Sequence, residues 1–221
     1  MNSQPDARRR QSHRFSQGLR ATLLAGAMVV AGLIIGPSTV VAQTALTKGT
    51  DRTFEAATWN IEWFGGPNGP TDDARQVANV TRIIEEADID LWALQEIADE
   101  AAFNTLVANL GGAYEAHLAP TSAQQSLGLA FLHKPDVIRR VRRIEEILTS
   151  FSSDFAGRPP WQLEADITVE GTTVTATFIV VHMKATSDID SYDQRASAST
   201  RLKNHIDFTT LTSEPVIILG D

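Results

Sequence analysis

The chain has 221 residues, a formal charge of −8 and no cysteine. Without cysteine, disulfides, thiol catalysis and cysteine-ligated zinc are excluded, and an exported chain must be held by its core alone. The negative charge repels polyanions at long range, which counts against a high-affinity, sequence-reading nucleic-acid binder.

Residues 1–42 read as a secretory signal peptide. Arg8, Arg9, Arg10, Arg14 and Arg20 give a positive start, and Ala21 to Gly36 is apolar but short of the ~20 residues a bilayer span takes. Val40-Val41-Ala42 then offers small residues before a cut ahead of Gln43. The alternative is an uncleaved anchor; the expected location is secreted or periplasmic. Those five arginines and Asp6 leave with the segment, so the remaining 179 residues carry 14 basic and 26 acidic side chains, a charge of −12. That length suits one domain, 54–221, behind a linker at 43–53.

Phe54 to Ile61 reads as a first strand, followed by a Gly/Pro loop at Gly65 to Pro70. A helix is predicted from about Asp72, with Val77, Val80, Ile84 and Ala87 at helical spacing. Ile89 to Gln95 is the next strand, and Phe103, Leu106, Val107 and Leu110 mark a second helix stopped by Gly111-Gly112. Strand, helix, strand, helix in this order gives an α/β domain whose first two strands are parallel. Leu127 to His133 follows as a buried strand. Val137, Val141, Ile144 and Leu148 repeat helically in a neighbourhood that favours strands, so that segment is ambiguous. Trp161 to Glu170 and Thr172 to Val181 make a hairpin around Glu170-Gly171, and Ser191 to Phe208 a helix. Val216 to Leu219 is wholly apolar, as a central strand covered on both faces is.

Four of the apolar runs end on one chemistry-capable residue: Asn60, Glu96, His182 and Asp221. Ligands of α/β sheets gather just beyond strand ends, so these four predict a convergent site. Glu96 reads as a ligand for a hard cation or as the N-terminal acid of the following helix. Asn60 orients a phosphate, water or carboxylate, or is a turn residue. Glu62, on the same side of an extended chain, is a second metal-shell acid or a surface acid. His182 is a hydrogen-bonded core histidine or a general acid or base, and Lys184 beside it suits an anionic oxygen. Arg158, before Pro159-Pro160, is a phosphate fork or a solvated loop arginine. Asp221 follows Gly220, which allows close approach of substrate or metal.

Taken in order, Thr58-Trp59-Asn60-Ile61-Glu62-Trp63-Phe64, Ala93-Leu94-Gln95-Glu96-Ile97, Gly157-Arg158-Pro159-Pro160, Val181-His182-Met183-Lys184-Ala185 and Leu219-Gly220-Asp221 resemble the endonuclease/exonuclease/phosphatase superfamily. The His-Met-Lys-Ala version resembles its secreted bacterial nucleases most. The resemblance runs from about Phe54 to the last residue. It implies a DNase I-like, four-layered α/β sandwich of two mixed sheets flanked by helices. It also implies metal-dependent hydrolysis of a phosphoester by in-line attack of water. Carried onto this chain, Glu96 binds Mg2+ or Mn2+ with Asn60 close to metal and phosphate. His182 acts on a phosphate oxygen or the leaving group, Arg158 holds the substrate phosphate, and Asp221 orients or deprotonates the water.

The expected substrate is nucleic acid, the expected state a monomer without a stable protein partner. Charge favours the alternatives, a phosphorylated small molecule or a phospholipid. A non-catalytic binding domain on the same fold is the remote reading, and the joint presence of Asn60, Glu96, His182 and Asp221 argues against it. The family's motif continues past Gly-Asp to an asparagine and a later Ser-Asp-His that this sequence does not contain. The sequence is therefore expected to be incomplete at its C-terminus, and the polypeptide as written to fold poorly and be inactive.

Overall fold

A computed structural model of the chain describes residues 52–120, 127–209 and 213–221. The predicted signal peptide and all but the end of the linker lie outside the described residues. Among those described, no helix is long and apolar enough to cross a membrane.

Among the described residues, eight strands and three α-helices follow in the order β1 (Ala56–Phe64), α1 (Asp73–Ala87), β2 (Leu91–Ile97), α2 (Glu100–Asn109), β3 (Glu115–Leu118), β4 (Gly128–His133), β5 (Ile138–Glu146), β6 (Trp161–Val169), β7 (Thr172–Val181), α3 (Ile189–Phe208) and β8 (Val216–Gly220). The first sheet runs β1-β2-β4-β3 and the second β5-β6-β7-β8. Each is mixed: β1/β2 and β7/β8 pair in parallel, all other neighbours antiparallel. The first two strands are parallel as expected, because α1 carries the chain back over the sheet between them.

Period-two alternation divides each strand's side chains between two interfaces. From β2 and β4, Leu91, Ala93, Leu129 and Phe131 meet Leu163, Ala165, Phe178 and Val180 of β6 and β7 between the sheets. The opposite faces of β2 and β4, with Trp92, Leu94, Ala130 and Leu132, pack on Val77, Val80 and Ile84 of α1 and Phe103 and Leu106 of α2. On the far side, Ile179 and Val181 of β7 meet Ala198 and Leu202 of α3. Three apolar interfaces separate four layers: helices, sheet, sheet, helix. This is the DNase I-like sandwich.

Differences from the sequence reading have local causes. The ambiguous segment 137–148 is mostly strand β5. Bulges between Ile138 and Arg140 and between Val141 and Arg143 set Ile138, Val141 and Ile144 opposite Ile167, Ala165 and Leu163. Each bulge adds one residue to the two-residue repeat, so inward positions recur every three and imitate a helix. Strand β3 was not predicted; four residues, Glu-Ala-His-Leu, give too short and too polar a pattern. Strand β8 forms where the apolar run predicts it. It pairs only with β7 among the described residues, and Ile217 and Ile218 are 36% and 46% exposed. The hairpin turn is as read: Glu170 and Gly171 both have positive φ, as a two-residue turn matched to the strand twist requires.

Helix α3 backs the end of β7 and starts on a strong cap. Asp188 accepts from the Thr186 hydroxyl and from the Ser191 N–H and hydroxyl. These bonds hold its carboxyl well below the usual carboxylate range. Because folding depresses this pKa, the cap contributes fully above the ordinary value of 3.8 and is lost only as pH falls through the depressed one. Asp188→Ala is expected to melt below the wild type at pH 7, with the gap closing only in strong acid. Thermal melts followed by circular dichroism across pH check this.

Candidate active site

The C-terminal ends of β1, β2, β7 and β8 meet at one end of the sandwich. Asn60 and Gln95 are still in register across β1 and β2, and the next paired residues are Phe64 and Ile97. Ile61, Glu62 and Trp63 therefore bulge opposite the single residue Glu96, with positive φ at Glu62, Trp63 and Glu96. The bulge is tied down from α1. Gln76 Nε2 donates to the carbonyls of Ile61 and Glu62, each at 3.0 Å, and its Oε1 accepts from Gly65 N–H at 2.9 Å. Gln76 did not stand out in the sequence, where it is one polar residue on a helix.

The bulges turn the Asn60 and Glu96 side chains towards each other. Asn60 Nδ2 donates to Glu96 Oε1 at 2.7 Å and to Asp221 Oδ2 at 2.8 Å. Glu96 Oε2 accepts from Trp63 N–H at 3.0 Å. The two readings of Glu96 thus separate: the α2 cap is Asp99, which accepts from Ala102 N–H, and Glu96 faces the site. Asn60 keeps both of its readings: its Oδ1 accepts the Glu62 N–H two residues on, as in an Asx turn, while its amide nitrogen faces the site.

The second sheet supplies the other wall. Buried His182 lies just past β7 with Nε2 3.5 Å from Glu96 Oε1. Asp221 follows β8, its N–H donating to Val181 O and its carbonyl accepting from Met183 N–H. Gly220 makes that pairing possible: a Cβ there would lie 2.1 Å from Val181 O. Arg158 donates through Nε and Nη2 to the carbonyls of His182 and Met183, both at 3.2 Å. Burial, then the Arg158 guanidinium, lowers the His182 pKa, while the Glu96 and Asp221 carboxylates oppose the shift. The imidazole is thereby kept neutral at neutral pH and able to accept a proton.

Glu96, His182 and Asp221 bring one ligand atom each to within 4.8 Å of the others. Two carboxylates converging on a single amide repel one another, and a divalent cation offsets that repulsion. Oxygen donors of this kind suit Mg2+ or Mn2+. Glu62 and Lys184 stand apart from this group. Glu62 is exposed, because its positive φ breaks the extended geometry that would have aligned it with Asn60. Lys184 is also exposed, and its carbonyl accepts from Arg195.

Residues 57–221 match the model of the endonuclease/exonuclease/phosphatase family. The chain belongs to this family. Among solved structures its fold is similar to that of a humanized D. rerio TDP2, with TM-score 0.59 and 14% identity over 76% of this chain and 65% of that one. The Bacteroides thetaiotaomicron mannosyl-6-phosphatase aligns at 0.55 and 14%, over 76% and 65%. The human Nocturnin catalytic domain aligns at 0.53 and 14%, over 76% and 64%. The chain thus spans less than two thirds of the length of each. A comparison with the curated proteins finds no match. The Asn60–Glu96–His182–Asp221 cluster lies within the matched residues.

Proposed function

We propose that the protein is an exported, Mg2+- or Mn2+-dependent phosphoesterase that hydrolyses nucleic-acid phosphodiesters as a monomer. The observation that carries this reading is the Asn60 amide, which bridges Glu96 of one sheet and Asp221 of the other beside the buried His182. Glu96 holds the ion, and Asn60 keeps the two carboxylates in place and faces the phosphate. Asp221 orients or deprotonates the attacking water. His182 acts on a phosphate oxygen or on the leaving group, and Arg158 holds the substrate phosphate. When bound, the divalent ion polarises the phosphoryl oxygen and offsets charge that develops in the transition state. Exposed Lys184 is assigned to the rim, where it meets a phosphate.

The D. rerio TDP2 solved with a single-strand DNA product supports the nucleic-acid reading; it aligns with TM-score 0.57 and 14% identity. A phosphatase or phospholipase C-type activity is the second reading, favoured by the charge of −12 that remains without the signal segment. Plasmid DNA, inositol phosphates and sphingomyelin, each offered to the full-length protein with and without a chelator, decide between them. DNA cleavage with Mg2+ or Mn2+, abolished by chelation, is the expected result. Turnover of the other substrates alone replaces the nuclease reading with the second one, and activity that survives chelation overturns both.

A further inference from the structure

The end of the first sheet away from the active site carries a second cluster of ligand atoms. His133 is in register with Leu91, five residues before Glu96 on β2, which sets the two clusters roughly 16 Å apart along the strand. On the edge strand β3, Glu115 lies opposite His133 and His117 opposite Phe131, so Glu115, His117 and His133 share one face. His117 Nε2 and His133 Nε2 are 3.2 Å apart, and Glu115 Oε2 is 3.6 Å from His133 Nε2. All three ligand atoms fall within 4.8 Å of one another. His133 is buried, His117 half-buried and Glu115 exposed.

Two nitrogens bound to one zinc at about 2.0–2.1 Å in tetrahedral geometry sit roughly 3.3 Å apart. The imidazole pair already has that spacing. Two nitrogens with one carboxylate are poor donors for magnesium or calcium and good ones for a first-row transition metal.

We propose that Glu115, His117 and His133 form a zinc site, with water as fourth ligand, that ties the edge strand β3 to β4. This site is independent of the catalytic cluster and of the phosphoesterase reading. Full-length protein stripped with a chelator, then titrated with Co2+ or Zn2+ in excess Mg2+, tests it. Wild type and Glu96→Gln are both expected to develop the visible absorption of tetrahedral Co2+, to take up about one zinc with a rise in Tm, and to lose both effects with His117→Ala. Should His117→Ala not fold, Glu115→Gln at its exposed position is expected to weaken zinc binding by about tenfold or more. A cobalt spectrum absent from wild type overturns the proposal. So does one lost in Glu96→Gln but kept in His117→Ala or Glu115→Gln, which leaves the His117–His133 contact as a hydrogen bond alone.

Discussion

Glu96→Ala is expected to lower metal-dependent hydrolysis by on the order of a thousandfold, and excess metal is expected not to restore it. A divalent ion contributes several kcal/mol of transition-state charge stabilisation, and about 4 kcal/mol corresponds to a thousandfold in rate. Alanine also removes two hydrogen-bond acceptors, from Asn60 and from the Trp63 N–H. Glu96→Gln is the sharper companion, because it removes the charge and keeps an oxygen acceptor. Initial rates across a metal titration, set beside the Tm of each variant, separate lost ligation from lost structure. A Glu96→Gln protein with wild-type rates at low metal removes Glu96 from the mechanism.

Phe178→Ala is expected to cost about 3–5 kcal/mol, a large share of the ~5–15 kcal/mol that holds a domain together. The ring is fully buried between the sheets, opposite Leu163 in the β6–β7 ladder and 5.5 Å from the ring of Phe54. Strands on both sides fix the backbone, so little collapse into the space is available. Four residues earlier on β7, Val174 is 47% exposed, and Val174→Ala is expected to stay within about 0.5 kcal/mol. Urea denaturation of the full-length protein, compared by midpoint at unchanged slope, measures both. Equal midpoints for the two variants would place the core elsewhere.

Most of the frame was legible because it rests on periodicity and punctuation. The α1 stripe of Val77, Val80 and Ile84, the Glu170-Gly171 turn and the apolar ends before Asn60, Glu96 and His182 each announce their element. Convergence of Asn60, Glu96, His182 and Asp221 followed from strand-end placement together with motif order. Bulges hid the rest. An extra residue in a strand leaves no mark on composition, so β5 resembled a helix and Glu62 was expected on the side of Asn60. Glu115, His117 and His133 are scattered over nineteen positions of sequence and meet only through the β3–β4 pairing.

The Asn60 bridge makes the active site a joint between two halves of the molecule. Asn60 and Glu96 belong to one sheet, His182 and Asp221 to the other, and the packed interior between the sheets fixes their separation together with the Asn60–Asp221 bond. On the proposed reading, a cation held at Glu96 beside Asp221 would favour the docked arrangement over the parted one. Occupancy and sheet association are then thermodynamically linked: ion at a hundred times its Kd adds about 2.7 kcal/mol to the closed sandwich. By the same reciprocity, a cavity made deep in the interior lowers metal affinity at a rim it never touches.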